Sequence, residues 1–211
     1  MVIPDRLEPG NAVGIIAPSS PFQVERLKPA LAYLARRGYR AVEGRSLYAR
    51  QRHLAGTDRD RADDVNALFA DPEIKAVFVA RGGFGSVRLL DGIDLDLIAG
   101  CPKALVGFSD TTALQLALLA HTGLITYTGV TLCADVTPEG MSEGTERSLW
   151  DAAERHHFPP VDGLHSIRGE SARGPFVGGC LSLVASLVGT PHLPDLSGAV
   201  LFLEDVNEAP Y

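Results

Sequence analysis

Apolar residues form two kinds of pattern along the chain: short continuous runs of strand type, and longer stretches in which they recur at helical spacing. Helical spacing marks residues 25–37 and 58–70, each of which lies between two strand-like runs. The strand-like runs are 13–17, 39–42, 75–80, 104–107, 125–129 and 198–203. Strands that alternate with helices in this way predict an α/β fold, in which helices cover both faces of a mostly parallel sheet.

Four loops should meet at one edge of this sheet, because each of them follows a predicted strand. Ligands of open α/β sheets bind beyond the carboxyl ends of the strands. The sequence therefore predicts a binding site at that edge. The segments that would line it are Pro18–Ser20, Arg81–Gly85, Ser109 and Thr128–Gly129.

Ser109 lies where the predicted strand 104–107 gives way to an apolar helix. A serine at such a corner is typical of a nucleophile elbow, in which the turn exposes Oγ and the helix N-terminus offers backbone N–H groups to an oxyanion. The usual elbow reads G-x-S-x-G, whereas here Thr111 stands in place of the second glycine. Ser109, Asp110 and Thr111 also suit the N-cap of a helix. These residues alone leave both interpretations open.

A glycine-rich loop, Arg81-Gly-Gly-Phe-Gly85, directly follows the predicted strand 75–80. Backbone N–H groups in such a loop can form a nest for a phosphate or an oxyanion, while a tight turn that needs positive φ angles has the same composition. Arg88 occupies the third glycine position of the dinucleotide fingerprint, and no Walker-type Gly-Lys-Ser/Thr follows, so both motifs are excluded. Proximity to Ser109 in the predicted sheet favours an oxyanion role.

Composition and charge exclude several classes of protein. A formal net charge of −7 argues against binding to nucleic acid or to an anionic membrane, and no apolar run reaches the ~20 residues of a membrane span. The first residues lack the features of a signal peptide, and three widely spaced cysteines fit reduced thiols. We therefore expect a cytoplasmic protein. No metal site is expected either, because His156 and His157 have no third ligand at suitable spacing.

The C-terminal part of the chain has a different character. Residues 158–176 are rich in Pro, Gly and polar residues, as a linker would be. Gly178 and Gly179 introduce an apolar helix, and the strand-like run 198–203 then delivers Glu204 at its end. An acid in that position is often merely solvated, so the pattern alone does not make Glu204 catalytic.

Six short motifs, taken together, resemble those of the LD-carboxypeptidases, a family of serine peptidases that includes the murein tetrapeptide carboxypeptidases and the microcin-immunity peptidases. Any one motif is weak, but their order and spacing across essentially the whole chain are specific. The motifs are Gly14–Ser19, Leu54–Asp58, Ala80–Gly85, Val106–Thr111, Gly178–Gly179 and Leu201–Asp205.

The resemblance implies an activity and a set of roles. Such enzymes act in cell-wall recycling: they remove the terminal D-alanine from a cytoplasmic murein tetrapeptide by cutting the bond after the L-centre of diaminopimelate or lysine, without a metal or cofactor. Ser109 would be the nucleophile and Glu204 the acid of a Ser-Glu-His triad. Backbone N–H groups of Asp110 and of the Gly82–Gly83 turn would form the oxyanion hole. The residues expected to contact the muropeptide are Ser19, Arg81 and Thr128.

Three departures from the family pattern affect these expectations. Cys180 stands where the family has Asn, and Thr128-Gly129-Val130 replaces a motif nearer to His-Gly-Pro, so the substrate contacts there are open. The family's catalytic histidine lies beyond the acidic strand, and no histidine of this chain falls at the matching place. The histidines are His53, His121, His156, His157, His165 and His192. We therefore expect a truncated chain with little activity, because a serine without its base is a poor nucleophile.

The expected organisation has three parts. They are a Rossmann-like (flavodoxin-like) N-terminal α/β domain at 1–157, a linker at 158–176 and the start of an incomplete β-rich C-terminal domain at 177–211. Residues after Val177 should then lack packing partners, which would leave Val200, Leu201 and Phe202 exposed. A homodimer is expected. Two other functions stay open: a microcin-immunity-type peptidase that acts on a peptidyl nucleotide, and a non-catalytic muropeptide-binding module.

Overall fold

A computed structural model describes residues 1–161, 163–169 and 171–206, so the last five residues of the predicted C-terminal domain lie outside it. The strands are β1 (Ala12–Ile16), β2 (Arg40–Glu43), β3 (Ile74–Val79), β4 (Ala104–Gly107), β5 (Tyr127–Thr128), β6 (Phe176–Cys180) and β7 (Val200–Glu204). The α-helices are α1 (Lys28–Arg36), α2 (Asp58–Ala70), α3 (Leu95–Gly100), α4 (Thr112–Thr122), α5 (Leu132–Asp135), α6 (Glu143–Arg155) and α7 (Leu181–Leu187). Three 3₁₀ turns cover Val24–Arg26, Ser86–Gly92 and Ser109–Thr111. Among the helices of the described residues, none has the length and apolar character that a bilayer crossing requires.

The central sheet contains five strands in the order β2-β1-β3-β4-β5, and every neighbouring pair is parallel. This is the strand order of the flavodoxin-like folds, in which the order reverses between β1 and β3. A small second sheet pairs β6 with β7, also in parallel. The predicted α/β fold with a mostly parallel central sheet is therefore confirmed.

Both faces of the central sheet are buried, which explains why its strands are continuous apolar runs. Successive side chains of a strand point to opposite faces. In β1, Ile15 belongs to one apolar core and Ile16 to the other; in β3, Phe78 belongs to the first and Val77 to the second. The first core also contains residues of α1 and α6, and the second contains residues of α2 and α4. Helices thus cover both faces of the sheet.

The ends of the helices follow local signals in the sequence. Helix α2 has the bounds that its pattern predicts, and a capping box fixes its start. Thr57 Oγ1 accepts a hydrogen bond from the N–H of Asp60 (3.1 Å), and Asp60 Oδ2 accepts one from the N–H of Thr57 (3.1 Å). Gly123 ends α4 with a φ of +70°, in the left-handed conformation that glycine adopts readily after a helix.

The C-terminal part packs against the central domain more closely than expected. Val177, Val184 and Leu187 are buried in the same apolar core as residues of α4, because α7 rests on that helix. The expectation that residues after Val177 lack packing partners is therefore wrong for β6 and α7. It fits β7 in part: Leu201 is 47% exposed, as expected, and Leu203 is 45% exposed, whereas Val200 and Phe202, which were also expected to be exposed, are partly buried.

The glycine pair before α7 belongs to a strand, β6, that the sequence pattern did not predict. A Cβ atom on Gly179 would lie 2.5 Å from Thr112 Oγ1, and one on Gly178 would collide with the carbonyl group of Phe202. Both glycines have a φ of +148°. They let β6 approach α4 on one side and β7 on the other. The described residues between 158 and 175 contain neither helix nor strand.

Candidate active site

The loops after β1 and β3 meet at the point where the strand order reverses. The N–H of Ser20 donates to the carbonyl O of Gly82 (3.4 Å), and Ser20 Oγ accepts a hydrogen bond from the N–H of Phe84 (3.2 Å). Flavodoxin-like folds bind ligands in the crevice at such a point. The segment that carries Ser109 lies beside this crevice, because β4 is the next strand of the sheet.

Ser109 occupies a strained corner between β4 and α4. Its φ is +65°, in the left-handed region that residues other than glycine seldom adopt. The side chain of Thr111 closes the turn: its Oγ1 accepts from the N–H of Phe108 (3.2 Å) and donates to the carbonyl O of the same residue (2.8 Å). A strained serine at a strand-to-helix turn is typical of the nucleophile elbow.

The alternative role of Ser109 as a helix cap is contradicted by this geometry. A capping serine has an extended backbone, and its hydroxyl accepts a hydrogen bond from the first turn of the helix. Ser109 is instead the first residue of a 3₁₀ turn, and α4 has Thr111 at its N-cap position without a capping side-chain bond. The side chain of Ser109 stays partly exposed at the corner.

Gly82 packs directly against Ser109. A Cβ atom added to Gly82 would lie 3.2 Å from Ser109 Cβ, 3.5 Å from its Oγ and 3.1 Å from the carbonyl O of Phe108. Gly83 and Gly85 have φ values of +122° and +119°, so the loop is also a tight turn that requires positive φ. The tight-turn interpretation is therefore confirmed, and the turn brings the buried backbone of Gly82 into contact with the serine; the oxyanion role stays a prediction.

Asp110 joins the corner to the glycine-rich loop through its side chain. Its Oδ2 accepts a hydrogen bond from the N–H of Ser86 (2.8 Å), and its carbonyl O accepts one from Ser86 Oγ. Both residues are buried. The backbone N–H of Asp110, the predicted oxyanion donor, is thereby held next to Ser109. The sequence does not reveal this contact, because only the fold brings the two residues together.

Glu204 ends β7 and lies opposite Cys180 of β6. The N–H of Cys180 donates to Thr112 Oγ1 (3.1 Å), and Thr112 begins α4, beside the Ser109 corner. Burial raises the pKa of the Glu204 carboxyl, and the charge of Asp205 adds to this effect. Its Oε1 is buried without a hydrogen-bond partner among the described residues. Strand β6 therefore connects the acid to the first turn of α4.

The three predicted substrate contacts have different surroundings. Arg81 and Thr128 are exposed at the sheet edge. Arg81 donates to a backbone carbonyl of the loop after β1 (2.7 Å), and Thr128 Oγ1 donates to Gln115 Oε1 (3.1 Å). Ser19 is fully buried, and its hydroxyl has no partner within the described part of the chain. Ser19 is therefore enclosed within the chain, and the neighbouring Ser20 contacts the glycine-rich loop; a contact of Ser19 with substrate stays a prediction.

No histidine in the described ranges forms a hydrogen bond with Ser109 or Glu204. His121 and His192 are bonded to each other (3.2 Å), and His53 packs against a phenylalanine of the glycine-rich loop, with ring centroids 5.6 Å apart. The base of a Ser-Glu-His triad is thus missing from the contacts seen here. Residues 1–161, 163–169 and 171–206 also contain no group of three or more metal-ligating side chains that could hold an ion.

Arg61 is the main contact of the site that the sequence pattern did not reveal. Its side chain is buried, and its guanidinium donates to the carbonyl O atoms of Pro18 and Gly85. A signal was present, because Arg61 lies four residues before Val65 and therefore on the buried face of α2. An arginine in such a position needs partners.

The chain matches both domains of one known family. Residues 13–129 match the LD-carboxypeptidase N-terminal domain, and residues 173–211 match the LD-carboxypeptidase C-terminal domain. Together the two matches cover most of the chain and leave out the segment that joins the domains.

Two curated relatives carry names that agree with this match. The "Probable murein peptide carboxypeptidase" of Bacillus subtilis is 37% identical over 211 residues, which cover 99% of this chain and 66% of the relative. The "Murein tetrapeptide carboxypeptidase" of Pseudomonas aeruginosa is 34% identical over 211 residues, which cover 94% of this chain and 67% of that protein. The chain spans about two thirds of the length of these relatives.

Solved structures share the fold. A muramoyltetrapeptide carboxypeptidase from Oxalobacter formigenes matches with a TM-score of 0.81 at 30% identity, over 94% of this chain and 67% of that one. The microcin C7 self immunity protein MccF, in complex with aspartyl sulfamoyl adenosine, matches with a TM-score of 0.87 at 25% identity, over 99% of this chain and 72% of that one. The family domains, the curated relatives and the shared fold agree: the chain belongs to the LD-carboxypeptidase family.

Proposed function

We propose that this chain carries the nucleophile and the oxyanion-binding loop of a serine LD-carboxypeptidase that removes the terminal D-alanine of a murein tetrapeptide. The observation that carries this proposal is the pairing of Ser109, at a φ of +65°, with Gly82, whose backbone lies against the serine side chain. The names of the two bacterial relatives support the substrate class.

In the proposed reaction, Ser109 Oγ attacks the carbonyl carbon of the L-centre of diaminopimelate or lysine, which is bonded to the nitrogen of D-alanine. The carbonyl oxygen becomes negatively charged, and the backbone N–H groups of Asp110 and of the Gly82–Gly83 turn stabilise it. The serine proton passes to a base and then to the nitrogen of D-alanine, which leaves as the free amino acid. Water hydrolyses the acyl-enzyme and restores Ser109. This acyl transfer needs no metal or cofactor.

We assign the base to a histidine outside residues 1–211, in the C-terminal domain of the family. Two observations support this assignment. The described residues include no histidine bonded to Ser109, and Glu204 presents a buried Oε1 that can accept an imidazole N–H. Glu204 has to be ionised to stabilise a protonated histidine. Because burial raises its pKa, activity should fall at a higher pH on the acid side than an exposed glutamate would allow.

The test follows D-alanine release from L-Ala-D-Glu-diaminopimelate-D-Ala. The 211-residue chain is compared with a chimera that adds the C-terminal segment of the Bacillus subtilis relative. We expect rapid release by the chimera, and an acceleration over water of only about a thousandfold to ten-thousandfold by the shorter chain, because the oxyanion hole and substrate binding alone supply no more than that. In the chimera, Ser109→Ala should abolish release and Glu204→Gln should reduce it about a thousandfold or more.

Two results would contradict the proposal. Full-rate release by the 211-residue chain would mean that one of its own histidines completes the triad. Release by the chimera that survives Ser109→Ala would mean that another residue is the nucleophile.

A peptidyl nucleotide is the second candidate substrate, because the fold of MccF bound to aspartyl sulfamoyl adenosine matches this chain with a TM-score of 0.87. Release of aspartate from that compound by the chimera, without release of D-alanine from the tetrapeptide, would favour this function. Binding of the tetrapeptide by calorimetry, with no release by either form, would favour a muropeptide-binding module instead.

We place the proposed enzyme in the cytoplasm. The three cysteines, Cys101, Cys133 and Cys180, are all free, which fits a reducing compartment. Cell fractionation tests this location. The expected homodimer stays a prediction, which light scattering of the purified chain tests.

A further inference from the structure

One buried side chain joins the loops on the two sides of the crevice. Arg61, in the first turn of α2, is only 1% exposed. Its Nη1 donates to the carbonyl O of Gly85 (3.0 Å), in the loop after β3, and to that of Pro18, in the loop after β1. Its Nη2 bonds to the carboxylate of Asp58. A single guanidinium therefore reaches both loops at once.

Arginine is well suited to this position. Its planar guanidinium presents several N–H donors in a rigid fork, and no other side chain can donate in three directions from one flat group. Burial lowers the pKa of Arg61, and the charge of Asp58 opposes that effect. Asp58 is itself shared with Arg88, whose Nη2 lies 2.8 Å from its Oδ2. The charge of the buried Arg61 is thus balanced by Asp58, whose carboxylate is bonded to both Arg61 and Arg88.

The peptide group between Gly85 and Ser86 lies between this cation and an anion. Its carbonyl O accepts from Arg61 Nη1 (3.0 Å), and its N–H donates to Asp110 Oδ2 (2.8 Å). Hydrogen bonds at both ends of a peptide group polarise it and strengthen one another. The end of the glycine-rich loop is therefore held on one side by α2 and on the other by the Ser109 corner.

The position of this peptide group determines where Gly82 lies, because only two residues separate Gly82 from Gly85 in a tight turn. Gly82 in turn packs against Ser109, with 3.5 Å between its added Cβ position and Ser109 Oγ. Without Arg61 this peptide group keeps its bond to Asp110, but its carbonyl O loses the side-chain donor that ties it to α2 and to the loop after β1. The distance between the oxyanion donors and the nucleophile thus depends on Arg61.

We propose that Arg61 is a positioning residue, which holds the loop after β3 where the N–H groups of the Gly82–Gly83 turn can stabilise an oxyanion formed at Ser109. This inference rests on the proposed function. Arg61 acts through the carbonyl groups of Pro18 and Gly85 and does not touch the substrate. Its loss should weaken stabilisation of the charged tetrahedral species much more than binding of the uncharged peptide.

Two peptides separate this role from a purely structural one. The first is the tetrapeptide L-Ala-D-Glu-diaminopimelate-D-Ala. In the second, a boronic acid group, B(OH)₂, takes the place of the carbonyl group of the diaminopimelate L-centre together with the D-alanine bonded to it. When it binds, Ser109 Oγ forms a bond to boron, boron becomes tetrahedral and negatively charged while keeping both hydroxyls, and the serine proton leaves to the solvent. Only the boronate places an oxygen of a negatively charged tetrahedral group in the oxyanion hole, whereas the tetrapeptide offers a neutral carbonyl oxygen.

The measurement is the ratio of the two affinities, taken by calorimetry on the 211-residue chain. Any loss of folded protein affects both affinities equally and cancels in the ratio. Arg61→Met removes the donors and keeps the length of the side chain; it should lower the boronate-over-amide ratio about tenfold or more. Arg61→Lys keeps the positive charge but donates from a single ammonium group. Its boronate-over-amide ratio should therefore fall less than that of Arg61→Met. Arg59→Ala is the matched control, because Arg59 is 89% exposed and pairs with Asp63 on the surface of the same helix.

Asp58→Asn provides a second variant should Arg61→Met fail to fold. The amide introduced at this position would still accept a hydrogen bond from the Arg61 guanidinium but would lack the negative charge that holds it. We therefore expect a decrease in the boronate-over-amide ratio that is smaller than the decrease in Arg61→Met. An unchanged ratio in the folded variants would overturn the positioning role while leaving the proposed function intact. Equal affinity of the unsubstituted chain for both peptides would also overturn it, because the loop would then supply no oxyanion hole. Failure of that chain to bind either peptide would overturn the positioning role in this chain, whereas the proposed function is tested separately by D-alanine release from the chimera.

Discussion

The contact between Gly82 and Ser109 leaves little room for a methyl group. In Gly82→Ala the new Cβ would lie 3.2 Å from Ser109 Cβ and 3.1 Å from the carbonyl O of Phe108, so the glycine-rich loop and the serine have to move slightly apart. We expect boronate binding, and D-alanine release by the chimera, to fall about tenfold or more. Gly100→Ala is the control, because nothing lies within 4 Å of its added Cβ. Equal losses in the two variants would contradict the role of Gly82.

Local geometry that depends on neighbours in the sequence could be predicted, and contacts that depend on distant partners could not. Ser109 and the Gly82–Gly83 turn are local patterns: a strand, a corner and a helix, or glycines after a strand. Ser20 and Arg61 meet their partners across 64 and 24 residues, which only the fold brings together. The family resemblance pointed to Ser19, whereas Ser20 is the serine that contacts the glycine-rich loop. Nothing in the sequence indicates which of the two adjacent serines faces that loop.

At the scale of elements, α1 and α6 meet through a buried polar cluster. Tyr33 OH donates to Glu146 Oε1 (2.7 Å) and accepts from Trp150 Nε1 (2.6 Å). Burial, aided by the bond to Glu146, raises the pKa of Tyr33 from 10.0 to about 12. A group whose pKa is raised on folding stabilises the protein fully below its unfolded pKa, and this contribution is lost as the pH rises through the folded pKa.

We therefore expect the free energy of unfolding to decrease between pH 10 and about 12, and to decrease less steeply in Tyr33→Phe. Urea unfolding at a series of pH values in that window measures both slopes. Below that window the difference in stability between the two proteins should be constant. Parallel curves throughout the window would show that Tyr33 does not keep its proton more tightly in the folded state.

Elements with strong local signals were easier to predict than elements rich in glycine. The bounds of α2 follow from its capping box and its apolar spacing. Strand β6 was not predicted, because glycine disfavours strands and Gly178 and Gly179 suggest a turn. Phe202 and Thr112 lie so close to these two positions of the strand that a Cβ atom there would collide with them.

At the scale of the whole molecule, the two parts of the C-terminal region should contribute unequally to stability. Leu187 of α7 is 1% exposed, whereas Leu201 of β7 is 47% exposed. Leu187→Ala should cost about 2–5 kcal/mol of unfolding free energy, and Leu201→Ala about 1 kcal/mol or less. Urea unfolding of the 211-residue chain measures both. The same atoms are removed in each variant, so equal losses would contradict the difference in packing.

The fold of the whole molecule could be predicted because alternating strands and helices restrict a chain to few arrangements. The docking of the C-terminal region onto α4 could not. Val184 and Leu187 indicate that α7 needs an apolar partner, but their spacing does not say which helix supplies it. The bond between Cys180 and Thr112, 68 residues apart, depends on the same docking.

The left-handed backbone that exposes Ser109 for its proposed catalytic role should lower the thermal stability of the protein. A side chain in that conformation costs on the order of 1–3 kcal/mol, and glycine avoids most of it. Ser109→Gly should therefore raise the midpoint of thermal unfolding, whereas Ser109→Ala, which keeps the Cβ atom, should not; a lower midpoint for Ser109→Gly than for Ser109→Ala would contradict this. Laboratory selection for thermostable variants, without a screen for turnover, would then tend to eliminate Ser109, the proposed nucleophile, first.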